Sequence, residues 1–146
     1  VSNTMTAKIS YADVEVGTEL PAQTFSVTRD TLVRYAGASG DFNPIHWNEK
    51  FAKEVGLPDV IAHGMFTMAE AIRVVTDWTG DPGAVVEYGV RFTKPVVVPN
   101  DEQGATIEVG GKVAAKLDDN TVRVDLTAMS AGQKVLGMSR AVVRLA

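Results

Sequence analysis

One stretch limits what this chain can fold into more than any other: Met65 to Trp78, followed by an abrupt change of period. Met65, Phe66, Met68, Ala69, Ala71, Ile72, Val74, Val75 and Trp78 recur at helical spacing and cover most of a helix circumference. The polar remainder, Thr67, Glu70, Arg73 and Asp77, forms one narrow stripe. A helix this apolar, roughly 22 Å long, is expected to be largely enclosed, with Met65 and Met68 as core filler. After the turn cluster Gly80-Asp81-Pro82-Gly83 the period falls to two. Val86, Tyr88, Val90 and Phe92 alternate with Glu87, Gly89, Arg91 and Thr93. The same alternation returns over Ile107–Leu117, over Val122–Ala128 after the turn Asp118-Asp119-Asn120, and in a last strand Lys134–Leu145 after Gly132. Strands that follow one another through short polar turns are expected to pair antiparallel. One buried helix plus such strands predicts an α+β chain, its antiparallel sheet wrapped around the helix.

The N-terminal half is built of shorter pieces. Residues 8–27 read as a lead-in with a short strand broken by Gly17 and Pro21. Thr28 is placed to cap a helix over Arg29–Ala36, which Gly37 and Gly40 stop. A second short helix is expected at about Asn48–Val55, capped by Asn48, supported by the Glu49/Lys53 pair and ended by Gly56. At 146 residues the chain has the size of a single domain, 1–146, with enough length to bury a core. Val1–Thr4 precede Met5, which leaves open that they are an expression remnant.

Composition bears on function mainly by exclusion. A net charge of −4 argues against nucleic acid, which needs a concentrated basic surface. No apolar run approaches the ~20 residues that span a bilayer, and no secretory signal opens the chain. Cysteine is absent, so disulfides, thiolate metal sites and thiol nucleophiles are excluded together. The expectation is a cytoplasmic protein without membrane insertion.

Chemistry concentrates in Tyr35–Ala52. Asp41, Asn43 and His46 fall within six residues, on a segment punctuated by Gly37, Gly40 and Pro44. A loop carboxylate beside a loop imidazole can move protons near neutral pH. The other histidine, His63, precedes Gly64, which opens the apolar helix. The Gly64 N–H has no intrahelical partner and suits a developing oxyanion, and glycine admits a substrate carbonyl closely. An acid–base pair facing an oxyanion donor suits proton removal alpha to a thioester carbonyl. Plainer readings compete at this point: an Asp–His neighbourhood is often only a structural hydrogen bond, and Asn43-Pro44 is ordinary turn chemistry. Asp41, His46 and His63 as metal ligands lack any established spacing. His63 itself reads as structural or supporting.

Ser39-Gly40-Asp41-Phe42-Asn43-Pro44-Ile45-His46, with Ala52 beyond it, resembles the signature of the MaoC-like, or type-2, (R)-specific enoyl-CoA hydratases. Ala62-His63-Gly64-Met65 resembles that family's second motif, and Tyr88–Val96 its characteristic strand. Ala38 departs from the family's preference for a larger aliphatic residue or glycine. Within the family, Asn43–Trp47, Ile61–Met65 and Gly80–Val85 are similar to the (3R)-hydroxyacyl-ACP dehydratases of mycobacterial fatty acid synthesis. The resemblance implies a hot-dog fold and reversible dehydration of (3R)-3-hydroxyacyl thioesters, carried on CoA or an acyl carrier protein, to trans-2-enoyl thioesters. It implies Asp41 and His46 as catalytic residues, Asn43 holding water or loop, Gly64 as oxyanion hole, and neither metal nor cofactor. It also implies a homodimer, or a heterodimer with a related hot-dog subunit. A non-catalytic acyl-binding subunit and a hot-dog thioesterase are the alternatives that remain.

Overall fold

The structure, a computed structural model, describes residues 9–146; the expectation for residues 1–4 lies outside them. The elements are β1 (Glu19–Val27), α1 (Arg29–Ser39), α2 (Glu49–Glu54), α3 (Gly64–Thr79), β2 (Val85–Phe92), β3 (Ala105–Lys116), β4 (Thr121–Ser130) and β5 (Gln133–Arg144). The five strands form one antiparallel sheet in the order β1-β3-β4-β5-β2, with α3 packed across its inner face. This is the hot-dog arrangement of the α+β class.

Local chemistry accounts for the turns. Asp119 and Asn120 join β3 to β4, and Ala131 and Gly132 join β4 to β5, both pairs at positive φ. Two consecutive left-handed residues give the turn whose twist matches paired strands. The core is built from strand residues at period two, among them Val27, Ile107, Val109, Val113, Val122, Val124, Ala141 and Val143, against Ala71, Val74 and Val75 of α3. Each fully buried Val or Ile is worth about 1.5–3 kcal/mol relative to exposure. The Tyr88 hydroxyl donates to the Met68 carbonyl at 2.7 Å and ties β2 to α3. Burial pushes that hydroxyl up to about 12.

Three expectations need correction. Pro21 does not break the first strand: β1 runs through it, at a register shift between Leu20 and Gln23. The sheet order makes β1 an edge strand, where a missing N–H is tolerated. Gly37 does not stop α1, which continues to Ser39 and ends at Gly40 in the left-handed conformation. A glycine inside a helix costs only about 1 kcal/mol, whereas the C-terminal reversal calls for positive φ. The pairing is antiparallel throughout, as expected, with β2 against β5 at the far edge from β1.

Finally, α3 is not enclosed all round. Met65, Ala69, Arg73 and Asp77 form an exposed stripe, and Met65, expected as filler, is 60% exposed. Thr67, expected on the polar stripe, is instead buried. A five-stranded sheet covers one side of a helix, so the stripe that faces away from it stays open whatever its hydropathy.

Candidate active site

The loop between α1 and α2 is shaped by its own short polar side chains. Ser39 Oγ accepts from Asp41 N at 3.2 Å, Asp41 Oδ1 from Asn43 N at 3.1 Å, and Asn43 Oδ1 from Ile45 N at 3.2 Å. Each is a side-chain turn over two residues, and together they carry the chain from the end of α1 into a 3-10 turn at Pro44–His46. Pro44 suits the first position of that turn, since its missing N–H is not needed there. Trp47 Nε1 closes the loop by donating to the Phe42 carbonyl at 2.9 Å.

A second segment, residues 60–63, is held between this loop and the connection after β2. Ile61 N donates to Ile45 O, Ala62 N to Val96 O and Val98 N to Val60 O. Arg29 braces the outside, with Nε on the Val98 carbonyl and Nη2 on Asp59, both at 2.8 Å. The segment delivers His63 to the N-cap position of α3, with Gly64 as its first helical residue.

Asp41, His46, His63 and Gly64 thereby meet at one cavity of about 430 Å³. His46 is 6% and His63 2% exposed, while the Asp41 side chain remains 53% exposed at the rim. The two imidazoles stack with ring centroids 3.7 Å apart, 20° from parallel. Hydrogen bonding settles both tautomers. His46 Nδ1 lies 2.7 Å from the Ile61 carbonyl, which can only accept, so Nδ1 carries the proton and Nε2 a lone pair. His63 Nε2 lies 3.0 Å from the Asp41 carbonyl and donates to it in the same way.

His46 Nε2 stands 3.9 Å from Asp41 Oδ2, too far for a direct hydrogen bond. Burial holds the His46 pKa below its ordinary value, and a positive charge on the stacked His63 would act in the same direction. The Ile61 hydrogen bond and the Asp41 charge oppose them. The lone pair on Nε2 is therefore available as a base at neutral pH.

Asn43 is placed apart from these groups. Its side chain is committed to the Ile45 N–H, and it does not line the cavity. Ligand atoms of Asp41, His46 and His63 lie within 4.8 Å of one another, the spacing of a cation site. Their geometry is poor for one: stacked rings send their in-plane lone pairs alongside each other rather than toward a common point.

Sequence reasoning missed the far wall. Phe92, Thr93, Lys94 and Pro95, at and beyond the end of β2, line the cavity with Met65 and Thr67 of α3. The readable signal was the stretch Tyr88–Val96, quoted above for its resemblance to the family's strand, in which all four residues stand. A Cβ on Gly64 would stand 3.0 Å from Phe92 Cε1, so the absence of a side chain there lets the ring close over the helix start. Phe66, Val74 and Trp78 of α3 do not line this cavity.

Comparison with known proteins agrees with the fold. The chain is 46% identical over 79 residues to the 3-hydroxyacyl-thioester dehydratase X of Mycobacterium tuberculosis, an alignment covering 54% of this chain and 27% of that protein. Among solved structures, a MaoC-like dehydratase superposes with a TM-score of 0.92 at 45% identity, over 97% of this chain and 43% of the other. The unliganded R-hydratase PhaJ1 from Pseudomonas aeruginosa gives 0.80 at 30% identity, over 94% and 85%. The chain thus spans about a quarter of its curated mycobacterial relative. Residues 12–130, from before β1 through the end of β4, match the MaoC like domain, and the chain belongs to that family.

Proposed function

We propose that this chain is a hydro-lyase of fatty acid metabolism that reversibly dehydrates (3R)-3-hydroxyacyl thioesters to trans-2-enoyl thioesters. The observation that carries the proposal is the 3.9 Å gap between His46 Nε2 and Asp41 Oδ2, at a cavity headed by Gly64. Two acceptors at that distance cannot bond each other, but one water fits between them as donor to both, and a substrate hydroxyl as donor to one of them. In hydration, that water gives up one proton to the pair as its oxygen adds to Cβ of the enoyl thioester, and the pair hands a proton on to Cα, which leaves it as it began. The charge that develops on the thioester oxygen meets the Gly64 N–H at the positive end of α3. In dehydration the same groups take the Cα proton and protonate the departing hydroxyl. Asp41 and His46 are the catalytic pair in this reading, Gly64 the oxyanion donor, and Asn43 the residue that holds the loop.

The names of the relatives, a 3-hydroxyacyl-thioester dehydratase and an R-hydratase, support the same chemistry. The carrier is CoA or an acyl carrier protein, and the reaction asks for neither metal nor organic cofactor. The proposal extends to one hot-dog domain over 1–146, acting in the cytoplasm. It functions as a homodimer or with a related hot-dog subunit, which the exposed apolar residues Val86 and Phe92 on the open β2 edge favour. Among the described residues no helix is long and apolar enough to cross a membrane.

A hydratase assay of the purified chain, alone, over a series of enoyl-CoA lengths tests the proposal. Loss of enoyl absorbance without release of free thiol is the expected result. Free thiol would mark a thioesterase instead. Inactivity that only a partner subunit's own active site relieves would mark a non-catalytic chain.

A further inference from the structure

His63 is the buried group that the proposed reaction does not use. We propose that it is a positioning residue, whose single ring holds the Asp41 main chain and the His46 imidazole in the relative placement that proton transfer requires. This rests on the reading of Asp41 and His46 as the acid–base pair.

Three observations support it. First, His63 makes a separate contact to each partner: Nε2–H to the Asp41 carbonyl at 3.0 Å, and a stacked face at 3.7 Å against His46. Asp41 itself is half exposed on a loop otherwise shaped by local turns, so this contact is what ties it to the buried wall of the site. Second, the ring is fixed from behind. Tyr35 of α1 packs on it with centroids 4.7 Å apart, and its backbone is the N-cap of α3. Because Gly64 comes next, one residue links the proton-handling loop to the oxyanion end of the helix.

Third, His63 Nδ1 is buried without a partner. An orphaned buried acceptor is destabilising, and an aromatic hydrocarbon ring of similar size fills the same space without that penalty. Packing alone therefore does not call for histidine at this position. A donor that reaches Asp41 combined with a flat face for His46 does call for it.

The test uses two substitutions of the full chain. Glutamine has the same number of bonds to its Nε2 as histidine, so His63→Gln keeps a donor toward Asp41 but loses the ring. His63→Phe keeps a stacking face but loses the donor. Displacing a catalytic group by about 1 Å costs up to ~10²-fold in rate. His63→Phe is expected to lose kcat toward that extent with KM little changed, and His63→Gln to recover part of it. The titration of His46, followed by imidazole NMR without substrate, supplies a second readout. The charged or titratable groups around it are Asp41 on the loop, His63 at the α3 N-cap, Tyr35 behind His63 and Lys94 at the rim. With His63 gone, the His46 midpoint is expected to move up in pH in either variant.

A wild-type kcat and an unmoved His46 midpoint in both variants overturn the proposal. So does an equal loss of kcat in both with the midpoint unmoved, which is what a purely structural role would give. If His63→Phe does not fold, the Gln variant and the wild-type spectrum decide it. The wild-type spectrum must show His63 protonated on Nε2, and a proton on Nδ1 instead would sink the idea. These spectra need no turnover, so failure of the hydratase reading would leave this inference to the NMR result.

Discussion

The oxyanion role proposed for Gly64 can be isolated with one substitution, because of where the residue sits. Gly64 is the first residue of α3, after the cap His63. Proline is well tolerated at that position, since the N–H it removes is not part of the helix ladder. His63, at φ −59° and ψ 133°, already has the extended conformation that a following proline demands. Gly64→Pro should therefore delete the donor without unfolding the helix. The added Cβ would approach Phe92 Cε1 to 3.0 Å, but that ring is 53% exposed and can swing outward. Gly64→Ala carries the same Cβ and keeps the N–H, which makes it the control.

Losing a preorganised oxyanion donor costs ~10²–10³ in kcat, or about 2.7–4 kcal/mol. Restricting the unfolded chain at a former glycine returns about 0.4–1 kcal/mol of stability. The expected pattern is a Pro variant that melts near the wild-type temperature and hydrates a trans-2-enoyl-CoA ~10²–10³ more slowly than the Ala variant. The assay is loss of enoyl absorbance at saturating substrate, beside a thermal melt of each protein. Proline and alanine variants with the same kcat would refute the reasoning, because the N–H would then contribute nothing that its removal can reveal.

The remaining expectations are simpler. Asp41→Asn keeps an acceptor for the Asn43 N–H, and His46→Ala removes a ring without touching the loop's turns, so both should fold while losing ~10²–10⁴ in kcat. Near-wild-type hydration by either excludes the assigned pair. Because burial lowers the His46 pKa, the acid limb of kcat/KM should lie below pH 6.5, and a limb above it would contradict a buried neutral base. The same shift affects stability: between 6.5 and the lower folded pKa, the unfolded chain binds the extra proton. Denaturant midpoints should therefore fall as pH drops through that window. Gly104 has φ +64°, and a Cβ there would run into the Val27 carbonyl and the Thr28 main chain, neither of which can yield. Gly104→Ala should cost about 2–4 kcal/mol from left-handed strain and overpacking together, measured by urea unfolding, without changing kcat per folded molecule.

Much of the site could be read before any fold was known because its pieces are local. The turns at Ser39, Asp41 and Asn43 are each closed by bonds over two residues, and the α3 N-terminus exposes its N–H whatever surrounds it. The cavity's far wall was not readable in this way. Phe92 to Pro95 reach Gly64 only because β2 pairs with β5 at the sheet edge, and alternation along a strand does not name its partner.

The sequence by itself determined which segments are helix and strand, where they turn, and which residue types stand on the loop and at the head of α3. Periodicity and turn chemistry act within a few residues, so they survive without tertiary context. Only the tertiary structure decided that α3 keeps an open stripe from Met65 to Asp77, and that His63 faces both His46 and the Asp41 carbonyl. Those relations join groups brought together by the pairing of residues 60–62 with the loop on one side and with residues 96–98 on the other. Contacts across such distances depend on how the whole sheet closes, and no local pattern encodes them.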